Sequence, residues 1–478
     1  MDRVLKGLQP EKVFCFFEEL TKIPRGSTHE KAVSDYLYRW AIERKLDVVQ
    51  DAFLNILIRK PGSAGYENAP AVILQGHMDM VCEKNMDVVH DFLTEPLKLR
   101  VDGDYVYATG TTLGADNGIG VACTMALLDS QSLSHPPLEV LITADEEDGM
   151  TGAEGFDATQ LKGRILINLD DEYEGKFTAG CAGGCTVKLF LPAARKAPGY
   201  GRFCRIAVKG LKGGHSGDDI DKERGNSIKL MGRMLYDLRD RIEIASISGG
   251  AKGNAIPRES RADLAVSEEI DMTDFINKWN TVFKNEFMFS DPDVSVSAEI
   301  INEVSEVYTG KVKDHLINAV SLIPNGPIVR SPELNMVIYS NNLGVIASEA
   351  DVITLTCVPR SSSESMMKQF IDTAEQISEI LQIKMELSSG YPAWEYQKES
   401  AIRELCMETY EDMYGVKGEV SIIHAGLECG LFIKKIPGLD AIATGPNLYD
   451  IHTPNEHFSI SSVRRTFDFI CRLLEKIK

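Results

Sequence analysis

The sequence lacks any uninterrupted apolar run near the roughly 18 residues that cross a membrane as a helix. We therefore expect no membrane segment. Its first twenty residues, MDRVLKGLQPEKVFCFFEEL, carry charges throughout and no continuous apolar core, so we also expect no signal peptide. Low-complexity tracts, internal repeats and long linkers are missing as well. These absences are typical of an ordinary globular protein.

Basic residues are scarce relative to acidic ones. The chain has 51 lysines and arginines against 71 aspartates and glutamates, which gives a net charge of −20. Proteins that bind nucleic acid need basic surfaces to neutralise phosphates, so this composition argues against a nucleic-acid partner. It fits an acidic cytoplasmic protein, and the cytoplasm is where we expect the chain to act.

Cysteine pairs of the CxxC type are also absent. The ten cysteines are dispersed, and Cys181 and Cys185 are the closest pair. No second Cys/His pair with suitable spacing accompanies them, so we expect reduced thiols. A zinc site at these two cysteines remains an open alternative.

The pattern along the 478 residues indicates more than one domain, because a chain of this length exceeds one ordinary core. Helical and strand-like segments alternate over the first 180 residues, which predicts an α/β domain with a largely parallel sheet. The predicted helices cover 11–22 and 29–44, and another begins near Asn117 with Ile119, Cys123 and Leu127 on one face. Apolar strand-like runs lie at 55–58, 71–74, 138–142 and 165–169.

The pattern changes after the glycine-rich AGCAGG at 179–184. The following stretch predicts an α+β unit with strands at 186–210 and 254–268 and a helix at 223–243. The C-terminal part resembles the first region again. We therefore predict an α/β domain formed by residues 1–184 and 391–478, interrupted by an inserted α+β domain at 185–390.

The segment VILQGHMD places two polar residues at the end of an apolar strand. His77 and Asp79 are two residues apart, and side chains at this spacing lie on the same side of an extended chain. One of them could bind a metal while the other holds the first in place. The alternative is that polar residues simply mark the point where the strand reaches solvent.

Carboxylates follow the same pattern elsewhere in the first region. Asp116 lies between glycines in LGADNGIG, Glu146 and Glu147 follow the run VLITA, and Asp170 follows ILINL. Ligands of open α/β sheets bind beyond the carboxyl ends of the strands, so these acids should converge. Crowded carboxylates repel one another, and a divalent cation such as Zn²⁺ relieves that repulsion. Each acid alone would equally suit a loop or a helix cap; together they favour a metal site.

A late histidine completes the candidate ligand set. His452 lies in YDIHTPNEH, and with His77 and three carboxylates it would suit two metals that share one bridging acid. Hydrolases use such pairs to bind a hydroxide nucleophile and polarise a carbonyl group. Of the adjacent Glu146 and Glu147, one would then coordinate a metal while the other moves protons.

These segments resemble a known family. The chain contains, in the family's order, the motifs GHMDMV, GADNGIG, TADEEDGMTGA, INLDDEYEG, CAGG, KGGHSG, HAGLECG and DIHTPNEH. Together they resemble the di-zinc M20 metallopeptidases, and the dipeptidases among them in particular. The motifs extend over most of the chain, and eight of them in order are far more specific than any one.

The resemblance implies two zinc ions per chain, with Mn²⁺ or Co²⁺ as substitutes. His77 and Asp170 would bind one ion, Glu147 and His452 the other, and Asp116 would bridge both. Ligand type alone discriminates poorly among these three metals.

The resemblance also assigns catalytic roles. Glu146 would be the general base that activates water, and Asp79 would hydrogen-bond the second ring nitrogen of His77. A cis peptide bond is implied between Asp116 and Asn117.

The inserted domain would be the family's lid and dimerisation domain. His215 would stabilise the oxyanion, while Asn254 and Arg360 would hold the C-terminal carboxylate of the substrate. Glu428 is a candidate partner for the free ammonium group. Without the resemblance, the first three would suit a turn, a cap and a strand end just as well.

The implied function is hydrolysis of dipeptides with a free N-terminus, including Xaa-His substrates, by a zinc-dependent homodimer. One alternative keeps the fold but acts as an N-acyl-amino-acid deacylase or carboxypeptidase. Another is a non-catalytic peptide-binding protein, and its signature would be the loss of Glu146 or of a ligand. The sequence retains all of them.

Overall fold

The computed structural model describes residues 3–334, 336–388 and 390–478. The chain divides into two compact units. The first contains Met1–Gly180, Tyr396–Ile422 and Leu427–Lys478, and the second contains Cys181–Glu395 and Ile423–Gly426. No helix of the described residues is long and apolar enough to cross a membrane.

The structure contains β-strands in both units. In chain order they are β1 Asp47–Gln50, β2 Ile56–Lys60, β3 Val72–His77, β4 Leu99–Asp102, β5 Tyr105–Ala108, β6 Leu138–Thr143, β7 Ile165–Asn168, β8 Lys176–Cys181, β9 Gly183–Gly184, β10 Val187–Pro192, β11 Arg195–Lys196, β12 Arg202–Lys209, β13 Gly214–His215, β14 Ile242–Gly249, β15 Ala255–Ile256, β16 Ser260–Val266, β17 Ser295–Ile300, β18 Val307–Tyr308, β19 Gly326–Ser331, β20 Met336–Ser348, β21 Val352–Ser361, β22 Lys384–Leu387, β23 Glu419–Ile423, β24 Asp440–Ala443, β25 Leu448–Tyr449 and β26 His457–Ser459.

Helices are distributed over both units as well. The α-helices are α1 Glu11–Leu20, α2 Lys31–Glu43, α3 Ala115–Asp129, α4 Glu146–Gly149, α5 Thr151–Gly155, α6 Ser227–Leu238, α7 Met272–Glu286, α8 Gly310–Leu322, α9 Glu364–Leu381, α10 Ala401–Tyr414, α11 Glu428–Lys435 and α12 Ile460–Lys476. Short 3-10 helices lie at Ala158–Gln160, Ile220–Lys222 and Arg239–Arg241.

The first unit is built on an eight-stranded mixed sheet in the order β1-β2-β6-β3-β7-β24-β8-β23. Its central strands β6, β3, β7 and β24 are parallel, while β1, β2 and β8 pair antiparallel to their neighbours. Every residue of β3 is buried. Parallel strands covered on both faces need such continuous apolar runs, which is why VIL precedes the site. The predicted α/β class is confirmed.

The helix predicted near Asn117 is present as α3, but the prediction of one apolar face understates how much of the helix is buried. Almost every side chain of α3 is buried. The helix packs against β3 on one side and against α1 and α12 on others, so it has no polar face to present.

The second unit contains a ten-stranded sheet, with β17-β12-β16-β14-β20-β21-β10-β22 in order and β19 and β9 paired at its sides. Its pairs are antiparallel, and an apolar core lies between the sheet and helices such as α6 and α8. The helix predicted at 223–243 is shorter, because Asn226 caps α6 and accepts the N–H groups of Ile228 and Lys229. The strand predicted at 254–268 is two strands. Pro257, which has no N–H to donate, lies between them.

A four-stranded sheet in the order β25-β26-β5-β4 belongs to the first unit. It pairs residues from the end of the chain with residues near position 105. The loop between β25 and β26 carries His452, so this pairing brings a C-terminal residue to the N-terminal part of the unit.

Candidate metal centre

Four segments of the first unit end at one edge of its sheet. His77 is the last residue of β3, Glu146 begins α4 shortly after β6, and Asp170 follows β7. Asp116 lies in the first turn of α3, which packs on β3. Because β6, β3 and β7 are parallel, their carboxyl ends present these side chains at the same edge.

The potential ligands form two groups that share Asp116. His77 Nε2 lies 3.1 Å from Asp116 Oδ1 and 3.3 Å from Asp170 Oδ1. His452 Nε2 lies 3.0 Å from Glu147 Oε1 and 3.3 Å from Asp116 Oδ2. In each group one donor atom per residue lies within 4.8 Å of the others. Asp116 therefore directs one carboxylate oxygen toward each group.

Glu146 belongs to a third group of this kind, with His77 and Glu147. Glu146 precedes the potential ligand Glu147 in the chain, but it belongs to neither of the two groups that contain Asp116. Burial raises the pKa of Glu146 well above its usual value, and neighbouring carboxylates such as Asp170 act in the same direction. The shift favours the protonated form of Glu146 over the form that an exposed glutamate would adopt.

Asp79 lies fully buried beside His77. Its Oδ1 is 3.3 Å from His77 Nδ1, and its two oxygens accept the backbone N–H groups of Glu146 and Glu147 at 3.1 and 3.2 Å. The Ser27 hydroxyl donates to it at 2.9 Å. Burial acts to raise the pKa of Asp79, but the bond with His77 and these backbone donors hold it below the usual value. The carboxylate therefore orients the imidazole so that Nε2 faces Asp116 and Asp170.

The charges of this cluster fit divalent cations. No lysine or arginine in the described chain forms an ion pair with Asp116, Glu147 or Asp170, and the histidines are their charged partners. Hydrogen bonds to Asp116 and Glu147 raise the pKa of His452 to about 11, and burial raises that of Asp170 to about 7. A divalent cation would compensate the same carboxylates and bind both imidazoles in the neutral form. Nitrogen and carboxylate donors are the set that zinc accepts.

The backbone departs from regular geometry at two of the potential ligands. The Asp116–Asn117 peptide bond is cis, as the resemblance implied. His452 has a φ of 60°, in the left-handed region that residues other than glycine rarely adopt. Left-handed residues other than glycine concentrate at functional sites, because the surrounding structure must hold them in place.

Glu428 lies beneath the strand ends rather than on the surface of the cluster. It is fully buried at the start of α11, and its Oε2 accepts hydrogen bonds from Thr143 at 2.7 Å and from the Gln75 amide. Its Oε1 has no hydrogen-bond partner among the described residues. Burial raises the pKa of Glu428 to about 8. Its assignment to a substrate ammonium group stays a prediction.

The remaining predicted residues lie in the second unit. His215 ends β13 and is paired with Ala255 of β15, so it is close to Asn254, whose carbonyl oxygen accepts the N–H of Ser216. Arg360 is buried on β21, and its Nη1 donates to the Tyr391 hydroxyl at 2.6 Å. The structure thus brings His215 and Asn254 together at a two-stranded antiparallel sheet, although the two segments are far apart in the chain.

His424, to which the sequence assigned no role, lies in the same unit. Its Nε2 is 2.7 Å from the Ser340 hydroxyl oxygen. Burial, followed by the positive charge of Arg360, lowers the pKa of His424 to about 4. The imidazole is therefore neutral at physiological pH.

Two buried charges near the ligands were also missed by the sequence analysis. Glu456 accepts N–H groups of the segment that leads into α3, and Arg25 donates to carbonyl groups next to His77 and Asp116. Glu456 lies inside the motif DIHTPNEH, so its position was a usable signal. Arg25 stands alone in IPRGS, and only the folded chain reveals its contacts.

Comparison with known proteins identifies the family of this chain. The model of peptidase family M20/M25/M40 matches residues 73–476. The cytosol non-specific dipeptidase of Escherichia coli is 37% identical over 480 residues, which cover 99% of each chain. The aminoacylhistidine dipeptidase of Vibrio alginolyticus superposes with a TM-score of 0.91 at 38% identity, over 99% of this chain and 98% of its own. An aminopeptidase of Bacillus cereus shares the fold, with a TM-score of 0.58 at 14% identity over 98% and 99%. This chain therefore belongs to peptidase family M20/M25/M40 and is a hydrolase of the metallopeptidase class.

Proposed function

We propose that this chain hydrolyses dipeptides with a free N-terminus, including dipeptides that end in histidine. The observation that carries the proposal is the pair of ligand groups joined by Asp116 at the carboxyl ends of the central strands. The similarity to two dipeptidases along nearly the whole chain supports the choice of substrate.

The proposed ligands divide as the distances suggest. His77 and Asp170 would hold one zinc ion, Glu147 and His452 the second, and Asp116 would contact both. When bound, two zinc ions polarise a scissile carbonyl group and lower the pKa of water. The donor set would also accept Mn²⁺ or Co²⁺, so zinc is the proposed ion and not an exclusive one.

Glu146 would move the proton. Its carboxylate would take a proton from the attacking water and return it to the leaving amine, which requires a pKa near the working pH. Burial and the neighbouring acids raise its pKa in that direction. Asp79 supports this role because it accepts the N–H of Glu146 and so fixes the start of α4.

The second unit would recognise the substrate. Arg360 and Asn254 would bind the C-terminal carboxylate, and His215 would stabilise the oxyanion. Arg360 suits this role because one Nη donates to Tyr391, while its buried Nε has no partner among the described residues. Glu428 would offer Oε1 to the substrate ammonium group. Binding both charged ends would limit the substrate to two residues.

The assembly and location belong to the same proposal. The chain would form a homodimer through the second unit and act in the cytoplasm. Light scattering coupled to size-exclusion chromatography measures the assembly directly. A mass near 106 kDa, about twice the 52.8 kDa of one chain, supports the dimer, and a mass near 52.8 kDa contradicts it.

The deciding experiment compares a free dipeptide with its N-acetylated form. Zinc-loaded wild type, Glu146→Ala and the control Glu154→Gln would be assayed on both; Glu154 is exposed on α5. Cleavage of the free dipeptide alone, lost in Glu146→Ala and retained in the control, supports the dipeptidase. Preference for the acetylated form supports a deacylase of the same fold. No cleavage by wild type, despite bound zinc, would favour a peptide-binding protein.

A further inference from the structure

A buried carboxylate holds the segment that carries Asp116. Glu456 is only 2% exposed. Its Oε2 accepts the N–H groups of Leu113 at 2.7 Å and Gly114 at 2.9 Å, and its Oε1 accepts those of Ala115 at 2.7 Å and Asp116 at 3.3 Å. Four consecutive backbone donors therefore converge on one side chain, and the last of them is the N–H of Asp116, the proposed bridging residue.

A buried guanidinium holds the same segment from its carbonyl side. Arg25 is also 2% exposed. Its Nη1 donates to the carbonyl oxygens of Met78 at 2.9 Å and Asp79 at 3.1 Å, and its Nη2 donates to that of Gly114. One side chain thus connects the residues just after His77 with those just before Asp116.

The two charged side chains bind the same backbone segment, and we call the pair the charged clamp (Arg25 and Glu456). Burial lowers the pKa of Arg25, and the charge of Glu456 is the largest opposing influence. The chain leaves room for the guanidinium: a Cβ at Gly114 or Gly118 would lie 2.4 or 2.5 Å from Arg25 Nη2. A side chain at either position would therefore displace the Arg25 guanidinium from its place in the clamp.

Neither charge belongs to a potential ligand group, yet each touches the backbone of a segment that carries one. Burying an ionised group is unfavourable unless it is paired and fully hydrogen-bonded. A neutral polar pair would satisfy a loop at lower desolvation cost. Arg25 instead connects the carbonyl groups that follow His77 with that of Gly114, while Glu456 accepts the N–H groups of residues 113–116. The two side chains together fix the separation of the two backbone segments.

We propose that Arg25 and Glu456 are positioning residues of the metal centre, which set the spacing between His77 and Asp116 before any metal binds. The role of the metal rests on the proposed function, whereas the backbone contacts do not. A purely structural role would lower stability in proportion to the lost hydrogen bonds and would leave metal affinity unchanged.

The chain offers a matched control for this distinction. Glu139 is a buried carboxylate at the start of β6, 4% exposed, and it accepts the N–H groups of Lys162 and Gly163. It also lies 3.9 Å from the guanidinium nitrogen of Arg59. Like Glu456 it is a buried carboxylate that accepts backbone N–H groups, but it accepts those of two residues rather than four and lies at the end of β6 opposite to Thr143.

The experiment compares wild type, Glu456→Gln, Arg25→Lys and Glu139→Gln in the full chain. Two quantities are measured: backbone amide hydrogen exchange at residues 113–116 without added metal, and zinc affinity by competition with a chelator. Gln at 456 replaces an acceptor oxygen by an N–H donor that faces two backbone donors. We expect exchange at 113–116 to accelerate at least tenfold in Glu456→Gln and zinc affinity to fall 10- to 100-fold. Both should stay within about twofold of wild type in Glu139→Gln.

Unchanged exchange or unchanged zinc affinity in Glu456→Gln would overturn the proposal, as would an equal loss in Glu139→Gln. If Glu456→Gln does not fold, Arg25→Lys decides by the same two measurements, because it keeps the charge and removes the forked contact. If wild type binds no zinc, the proposed function fails, and the exchange rates alone still decide whether the clamp orders the segment.

Discussion

At the scale of single residues, the site depends on which group orients each donor. His77 can present Nε2 to Asp116 and Asp170 because Asp79 lies against its other ring nitrogen. An imidazole carries a proton on one nitrogen and a lone pair on the other, so the partner of Nδ1 decides what Nε2 can bind.

Asp79→Asn tests this orientation. The amide can present an N–H to Nδ1 of His77, which favours the tautomer with the proton on Nε2 and so removes the lone pair that a metal needs. We expect zinc affinity at one site to fall 10- to 100-fold. Chelator competition measures it, with the exposed Asp148→Asn as the control. Equal affinity in both variants would contradict the orienting role.

Arg360→Lys tests recognition of the substrate carboxylate. A lysine keeps the charge but loses the two-pronged contact that a guanidinium makes with a carboxylate. We expect KM for a dipeptide to rise at least tenfold while kcat changes little. Activity on the corresponding dipeptide amide should change much less. The control is Arg261→Lys on the exposed side of β16; a fall in kcat alone would contradict the assignment.

The grouping of the potential donors was largely predictable from the sequence, since most of them stand in motifs that follow strands. Among the residues that orient the potential ligands, the sequence indicated only Asp79, which is two residues from His77. Arg25 contacts residues more than fifty positions away in the chain, and sequence spacing carries no sign of such a contact. The complete burial of Glu428 was missed for the same reason.

At the scale of elements, the contact between β3 and α3 places His77 near Asp116. It depends on Gly76, where a Cβ would lie 2.2 Å from the side-chain oxygen of Asn117. Asn117 in turn donates to the carbonyl oxygen of Leu169 at 2.6 Å, next to Asp170. The glycine therefore permits an approach on which three ligand segments depend.

Gly76→Ala should disturb all three segments at once. The added methyl group must displace the Asn117 amide or its hydrogen bond, and we expect a loss of about 1–3 kcal/mol in the free energy of unfolding, together with weaker zinc binding. Urea unfolding and chelator competition measure the two effects. Gly201→Ala, which meets no atom within 4 Å, is the control and should be neutral. Wild-type stability in Gly76→Ala would contradict this account of the contact.

Periodicity predicted the main elements of the first unit, because buried parallel strands and helices leave clear apolar patterns. It failed at α3, whose burial on all sides leaves no polar face to mark its limits. It also merged β15 and β16, which the structure separates at Pro257. The pairing of β5 with β26 joins segments about 350 residues apart, and local patterns do not report it.

At the scale of the whole molecule, the order of helical and strand-like segments changes after residue 184, and the sequence analysis placed the start of an inserted domain there. In the structure the second compact unit starts at Cys181. The chain does not go back to the first unit in one step, as the predicted boundary at 390 and 391 implied, because Ile423–Gly426 also belongs to the second unit. Four residues within an apolar C-terminal region give no compositional signal.

His424, which lies in Ile423–Gly426, should make the stability of the chain depend on pH. Burial and the charge of Arg360 lower its pKa to about 4, below the value of about 6.5 in an unfolded chain. Below pH 6.5 the unfolded chain therefore binds a proton that the folded chain does not. This contribution to stability is complete above about pH 6.5 and is lost as the pH falls toward 4.

Urea unfolding of wild type and His424→Asn at pH 7.5 and 4.5 checks this sign. Wild type should lose about 1–3 kcal/mol more than the variant over this range. His315→Asn, on α8 of the same unit, should behave as wild type. A wild-type loss no greater than that of His424→Asn would contradict the buried neutral imidazole.

If two metal ions share Asp116, as we propose, zinc stoichiometry should show it. Equilibrium dialysis against buffered zinc, followed by elemental analysis, would be applied to wild type, Asp116→Asn, His77→Gln and His452→Gln. We expect two zinc ions per chain in wild type, about one in each histidine variant, and weakened binding of both in Asp116→Asn. A wild type that binds one ion or none, or an Asp116→Asn variant that keeps two at wild-type affinity, would contradict it.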